Sequence, residues 1–308
     1  PMPSEDALGM RVPKYGFTRW RDLFTPRQLV ALGTFVKHTR AARHAMQAEG
    51  YADEWAEATA CYLAASIGRL LDFCCMGTQW KLDASAINHY LVRFALPMVW
   101  DFAEGPTLGT GAGSYILCSG RIATGLDTYR AWRFSEGSGT TLRQSAKRPL
   151  GSGLDCIVTD PPYYDAIPYS DLMDFFGVWL RRTLLGLSSA IDESFRAPLA
   201  PKWDREADDG ELVDDASRFG GDAAASKQSY EDGMARAFQR CCDALSADGR
   251  LVIVFANKQP DAWETLVSAV MRAGFVVTAS WPIETEMANR TRGLSSAALA
   301  SSVWLVCK

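Results

Sequence analysis

Apolar residues recur at helical spacing through the first part of the chain and in short strand-like runs through the rest. Thr25-Pro26 joins an N-cap residue to a proline at the first helical position, which predicts a helix running to about Ala48, ahead of Gly50. A second helix is expected from about Asp53 to Cys75, with Trp55, Cys61, Tyr62, Ala65, Leu70 and Phe73 among its buried positions. The two read as an antiparallel helical pair. Ser114 to Trp132 suits a third helix, with Gly120 and Gly125 weakening its interior.

From Thr140 the pattern alternates between strands and helices. Strands are expected over Thr140–Gln144 and Leu154–Thr159, the second as a buried parallel strand, then an amphipathic helix over Tyr169–Leu185. A helix over Ser226–Leu245, a turn at Asp248-Gly249 and a buried strand over Arg250–Phe255 follow. A helix over Asp261–Ala273 and strands over Phe275–Ser280 and Ala298–Cys307 complete the series. This alternation predicts an α/β class, with half to two-thirds of a doubly wound sheet. Residues 1–135 form a mainly helical segment and 136–308 the α/β part. A loop between the last two strands implies an antiparallel hairpin at one sheet edge. Ser188 to Ala225 is rich in carboxylates and poor in large apolar residues, and reads as a mobile surface insertion.

At 308 residues and 48% hydrophobic, the chain has enough apolar surface for a large core. Net charge is −4, so no global field favours nucleic acid, although a local basic surface is sufficient for binding. Arg11, Lys14, Arg19, Arg21, Arg27, Lys37, Arg40 and Arg43 make one such candidate; a solvated helix face is the alternative. The eight cysteines show no Cys-x-x-Cys spacing and read as buried free thiols in a reducing compartment. His38, His44 and His89 have no metal-ligand spacing, so no metal is expected. No apolar run approaches membrane-spanning length and no signal pattern is present, which places the protein in the cytoplasm as an expectation.

The chemistry concentrates at Asp160-Pro161-Pro162-Tyr163, directly after the strand over Leu154–Thr159. Two prolines force a sharp turn at the carboxyl end of a strand, where open α/β sheets place their ligands. A carboxylate, a free carbonyl and an aromatic face suit a planar base held by its exocyclic amine. Asp160 and the Pro161 carbonyl would accept the two amine hydrogens, and Tyr163 would stack on the base. Tyr164, Asp165 and Tyr169 follow on the same loop and either line the pocket or pack locally. Phe255, at the next strand end, is either the other wall of the pocket or ordinary core, and Asn257 follows it. Arg290 and Arg292, beside Asn289 in the last hairpin loop, either touch phosphate or face solvent.

The string "TDPPYYDAIPYSDLMDFFGVWLRR" from Thr159, with "RWRDLFTPRQL" from Arg19, "LPMVWDFAE" from Leu96 and the tail from Gly274, resembles bacterial and archaeal adenine-specific DNA methylases. The resemblance implies a methyltransferase-like (Rossmann-like) sheet and S-adenosylmethionine-dependent methyl transfer to the N6 amine of a flipped adenine in DNA. It assigns Asp160, Pro161, Pro162 and Tyr163 the catalytic role. It puts Ser145, where the family often has aspartate, and Asp160 beside the cofactor, while Arg27, Gln28 and Trp100 either border the cofactor or serve structural packing. The family's glycine-rich cofactor turn, of the Asp-Pro-Phe-x-Gly-x-Gly kind, has no counterpart. Gly109 to Gly113 follows no strand-like run and reads as a loop. The expectation is therefore an incomplete sheet in the catalytic C-terminal portion of a longer or split enzyme. The glycine-rich loop would come from a preceding region or a partner chain. Methylation of an exocyclic amine in RNA is one alternative, and a non-catalytic nucleic-acid-binding subunit is the other.

Overall fold

The computed structural model describes residues 1–91, 95–131, 139–165, 167–196, 209–283 and 302–308. The chain divides into two compact units, Pro1–Thr140 with Tyr169–Lys202, and Thr141–Pro168 with Trp203–Lys308. The first is helical: α1 (Pro26–Ala48), α2 (Asp53–Leu71), α3 (Tyr115–Ala131), α4 (Tyr169–Leu184) and the short α5 (Ser189–Ser194), with a small antiparallel pair, β1 (Gln79–Lys81) and β2 (Ala86–Asn88). Helix α1 starts where the sequence places it. Thr25 and Gln28 form a reciprocal capping box, with Gln28 Oε1 accepting from the Thr25 N–H at 2.8 Å and Thr25 Oγ1 from the Gln28 N–H at 3.3 Å. Thr25→Ala is expected to destabilise this unit by about 1 kcal/mol, read from a urea unfolding curve.

Helix α2 corrects the expected burial. It ends at Leu71 rather than Cys75, and its buried stripe is Ala56, Ala60, Ala64, Ile67 and Leu71. Trp55 and Tyr62 are exposed and Cys61, Ala65 and Phe73 only partly buried; of the expected set, only Leu70 is fully buried. Small residues spaced by about one turn let neighbouring helices approach closely, whereas a pattern weighted by side-chain size selects the opposite face. Helix α4 packs with α1 and α2. Its Phe175 stacks on Phe24 at 5.8 Å and its Trp179 meets the same ring edge-on at 5.5 Å. The helix after the motif thus joins the N-terminal helices rather than the α/β part. Two members of the candidate basic surface are committed here. Arg40 donates to the Thr183 and Leu185 carbonyls at 3.1 and 2.8 Å, and Arg43 donates to the Leu187 carbonyl at 2.6 Å. They satisfy the Thr183 carbonyl in the last turn of α4 and two carbonyls just beyond the helix.

The second unit contains β3 (Leu154–Thr159), α6 (Ala223–Ala244), β4 (Leu245–Phe255), α7 (Pro260–Arg272), β5 (Val277–Ile283) and β6 (Ser302–Cys307). The strands form one mixed sheet in the order β3-β4-β6-β5. Strands β3 and β4 are parallel, and β6 is antiparallel to both of its neighbours. The antiparallel pairing expected of the last two strands is present, and β6 lies inside the sheet. On one face Leu251, Ile253, Phe255, Leu305 and Cys307 pack with Tyr230, Met234 and Phe238 of α6 and Leu266 and Val270 of α7. On the other, Val158, Val252, Val306 and Ala279 align across all four strands, with Val254, Trp304 and Trp281 beside them. Val158 and Trp281 on this face are exposed.

Three strand expectations are corrected. Thr140–Gln144 forms no strand and is exposed, having no ladder partner among the described residues. Strand β3 is parallel but not buried, because it is the edge strand and Leu154, Cys156 and Val158 are exposed. The turn at Asp248-Gly249 is an irregularity inside β4, where Leu154 pairs with Leu245 but Cys156 pairs with Arg250. A Cβ on Gly249 would lie 2.9 Å from the Leu154 carbonyl oxygen, so the close pass requires glycine.

The acidic insertion is also corrected. Residues 197–208 lie outside the described residues, but Asp209 to Phe219 is packed, and only Gly220 to Ala225 is exposed in the part that follows. Val213 and Asp215 are buried. Arg218 binds Glu211 at 2.8 Å and Asp215 at 3.7 Å, and Ser226 Oγ donates to Asp214 at 2.6 Å. Carboxylates can be buried when paired, and here each has a partner. All eight cysteines are unpaired, and burial pushes the Cys241 and Cys307 thiols up to about 11, which suits packing rather than nucleophilic chemistry. Among the described residues no helix is long and apolar enough to cross a membrane.

Candidate functional site

The ends of β3 and β4 lie side by side, since Thr159 pairs with Ile253 in the parallel register. The chain leaves β3 into Asp160-Pro161-Pro162-Tyr163 and leaves β4 after Phe255. Asp160 is exposed, and the Tyr163 hydroxyl donates to its Oδ1 at 2.6 Å. The Tyr163 ring meets Phe255 edge-on at 5.3 Å, and Phe255 meets Trp263 edge-on at 4.9 Å. Phe255 is fully buried and braces Tyr163 from below; it is core rather than an open pocket wall.

Asn257 ties the two strand-end loops together. Its Nδ2 donates to the Tyr163 carbonyl at 3.4 Å and its Oδ1 accepts from the Gln259 N–H at 2.9 Å. Its own carbonyl accepts from Trp263 Nε1 at 2.9 Å. Gln259 Nε2 reaches Asp165 at 3.4 Å. Of the two proline carbonyls, that of Pro162 accepts from the Tyr230 hydroxyl at 2.7 Å and from the Tyr164 N–H at 3.1 Å. No hydrogen bond to the Pro161 carbonyl is found among the described residues.

Tyr164 points away from the exposed side of this turn. It is buried, adopts φ +61°, and packs edge-on against Tyr230 at 5.4 Å. Burial, followed by a hydrogen bond to Asp214, pushes its phenol well above the usual tyrosine value. Tyr164 is therefore an anchor of the turn and not a pocket-lining ring. Tyr169 opens α4 in the helical unit and is half exposed.

The remaining sequence candidates sit elsewhere. Ser145 does not end a strand; its hydroxyl donates to Asp209 Oδ1 at 2.7 Å and accepts from the Lys147 N–H at 3.2 Å. Arg27, Gln28 and Trp100 belong to the helical unit. There Arg27 pairs with Glu104 at 2.5 Å, Gln28 is buried in the capping box, and the exposed Trp100 meets Tyr15 edge-on at 5.4 Å. Asn289, Arg290 and Arg292 lie outside the described residues. Gly109 to Gly113 is a loop ahead of α3, as expected. Among the described residues no group of three or more His, Cys, Asp or Glu side chains is arranged to hold a metal ion.

Asp209 also gives a pH dependence. Burial opposes its charge, but hydrogen bonds from Ser145 and the Gly210 N–H, with the Lys147 ammonium at 3.6 Å, hold its carboxyl below the usual value. A depressed folded value stabilises the fold above the unfolded carboxylate pKa of about 3.9, and that contribution is lost as pH falls through the lower folded value. The urea midpoint of Asp209→Asn is expected to lie below wild type near neutral pH and to converge with it in acid.

Sequence reasoning missed Tyr230, Asp214 and Trp263. Tyr230 and Trp263 fall inside two expected helices without being singled out, and Asp214 is one carboxylate in an acidic stretch. Comparison of the chain with protein-family models, with curated proteins and with solved structures found no match in any of the three.

Proposed function

We propose that this chain carries the base-holding half of an S-adenosylmethionine-dependent methyltransferase acting on the exocyclic N6 amine of an adenine flipped out of DNA. The observation that carries the reading is the turn after β3. It combines an exposed carboxylate, a Pro161 carbonyl with no hydrogen-bond partner among the described residues, and a tyrosine ring braced from the core. Adenine's amine is a poor nucleophile because its lone pair is delocalised into the ring. Asp160 and the Pro161 carbonyl, each accepting one N–H, orient the amine and release that lone pair. The carboxylate also stabilises positive charge developing on nitrogen. Stacking on Tyr163 is worth about 1–3 kcal/mol and offsets part of the cost of unstacking the base. The antiparallel β6 between β4 and β5 supports a methyltransferase-like sheet, since the resemblance implies an antiparallel hairpin at that edge.

The residues present do not fit the cofactor by themselves. The connections after β3, Asp160–Pro168, and after β4, Ala256–Gln259, contain no glycine for close approach of a ligand to the backbone, and Ser145 is committed to Asp209. We place the donor's cradle on a segment outside this chain, and the exposed edge strand β3 is the natural place for further strands to add. The isolated chain is then expected to bind S-adenosylmethionine weakly or not at all by calorimetry; micromolar affinity would refute this placement.

The function itself is tested with duplex DNA carrying 2-aminopurine at the target adenine, with single-stranded RNA in parallel. Wild type should change the probe's fluorescence in DNA and Asp160→Ala should not. A response confined to RNA would transfer the reading to an RNA substrate. A probe untouched in either polymer would remove it.

A further inference from the structure

We infer that Tyr230 is the positioning residue of the Asp160–Tyr163 turn, with the packed acidic segment around Asp214 supporting the same turn at Tyr164; its consequence for substrate rests on the function proposed above. The turn contains a strained residue. Tyr164 sits at φ +61°, a conformation that bulky side chains rarely adopt and that persists only where the surroundings over-determine it. Those surroundings are present. The Tyr230 hydroxyl stands between two points of the turn, donating to the Pro162 carbonyl at 2.7 Å and accepting at 3.3 Å from the Tyr164 N–H, which is shared with the Pro162 carbonyl at 3.1 Å. The Asp214 N–H donates to the Tyr164 carbonyl at 3.2 Å, and the two tyrosine rings pack edge-on.

One hydroxyl therefore fixes both the acceptor direction of the Pro162 carbonyl and the reversal of the chain at Tyr164. Because Pro162 and Tyr164 flank Tyr163, the same hydroxyl sets where the Tyr163 ring and the Asp160 carboxylate stand. It also engages the Pro162 carbonyl, whereas no hydrogen bond to that of Pro161 is found among the described residues. Asp214 is itself anchored by Ser226 Oγ at 2.6 Å, and its neighbour Asp215 by Arg218. The acidic stretch is a buttress for the turn.

Tyr230→Phe keeps the ring and removes only the hydroxyl. It is expected to raise amide exchange at Tyr164 about tenfold, the effect of losing a hydrogen bond, and to weaken binding of the 2-aminopurine duplex by a similar factor. Phe238→Leu, two turns further along α6, lowers the melting temperature through the core and should leave both readouts unchanged. Exchange at Tyr164 equal to wild type in Tyr230→Phe overturns the inference whatever the duplex does. Faster exchange with undiminished duplex binding also overturns it, because the turn's geometry would then not govern the base. If the wild-type protein ignores the duplex altogether, the proposed function falls, and the exchange comparison alone decides whether Tyr230 holds the turn.

Discussion

Asp160→Ala is expected to lower methyl transfer to adenine-containing duplex DNA by on the order of 10²–10³, the effect of removing one hydrogen-bonding group from a transition state. The folded state should hardly register the change. Asp160 lies beyond the end of β3, its side chain is exposed, and its hydrogen bond is to the hydroxyl of Tyr163 in the same turn. Surface substitutions away from buried contacts usually fall within about ±0.5 kcal/mol, so the melting curve should overlay that of wild type. Methyl incorporation is measured on the native assembly, with melting curves run on each variant. Near-normal transfer by Asp160→Ala would remove the carboxylate from the mechanism, and loss of transfer through unfolding would make the motif structural. Tyr163→Phe is a companion measurement. It retains the stacking ring and releases the Asp160 carboxylate from its 2.6 Å hydrogen bond, so any loss of activity measures how far that bond orients the acceptor.

Phe255→Ala is expected to cost about 3–5 kcal/mol of stability, the range for deleting a buried aromatic ring. Phe255 has no solvent exposure and stands between two rings, meeting Tyr163 and Trp263 edge-on. Its removal opens a cavity beneath the motif turn and takes away the surface on which Tyr163 rests. Urea unfolding followed by tryptophan fluorescence reports the stability, since Trp263 contacts the deleted ring. A loss below about 1 kcal/mol would show that the site collapses readily, and would contradict a rigidly braced Tyr163. Phe255→Leu refills most of the volume and should recover much of the stability while leaving Tyr163 without its aromatic partner.

The local pattern of residues determined a good deal of this protein. Thr25-Pro26 specified the start of α1 because a cap and a proline act within one turn of backbone. The apolar run from Leu251 to Phe255 specified a strand, and the double proline after Asp160 specified where β3 must stop. These are near-neighbour effects, legible without knowing what packs on them. Tertiary structure decided the rest. Side-chain size put Trp55 and Tyr62 in the core of α2, but the close approach of helices selected the alanine stripe instead. Carboxylate density made the acidic stretch look solvated, but Arg218, Ser226 and Tyr164 supply partners that no spacing rule contains. Helix α4 follows the motif in sequence yet packs with α1 and α2, because its Phe175 and Trp179 find Phe24 there. The same holds at the site. Asp160 and Tyr163 announce themselves as a motif, whereas Tyr230 lies 66 positions beyond Tyr164, and only the folded chain brings its hydroxyl to the turn.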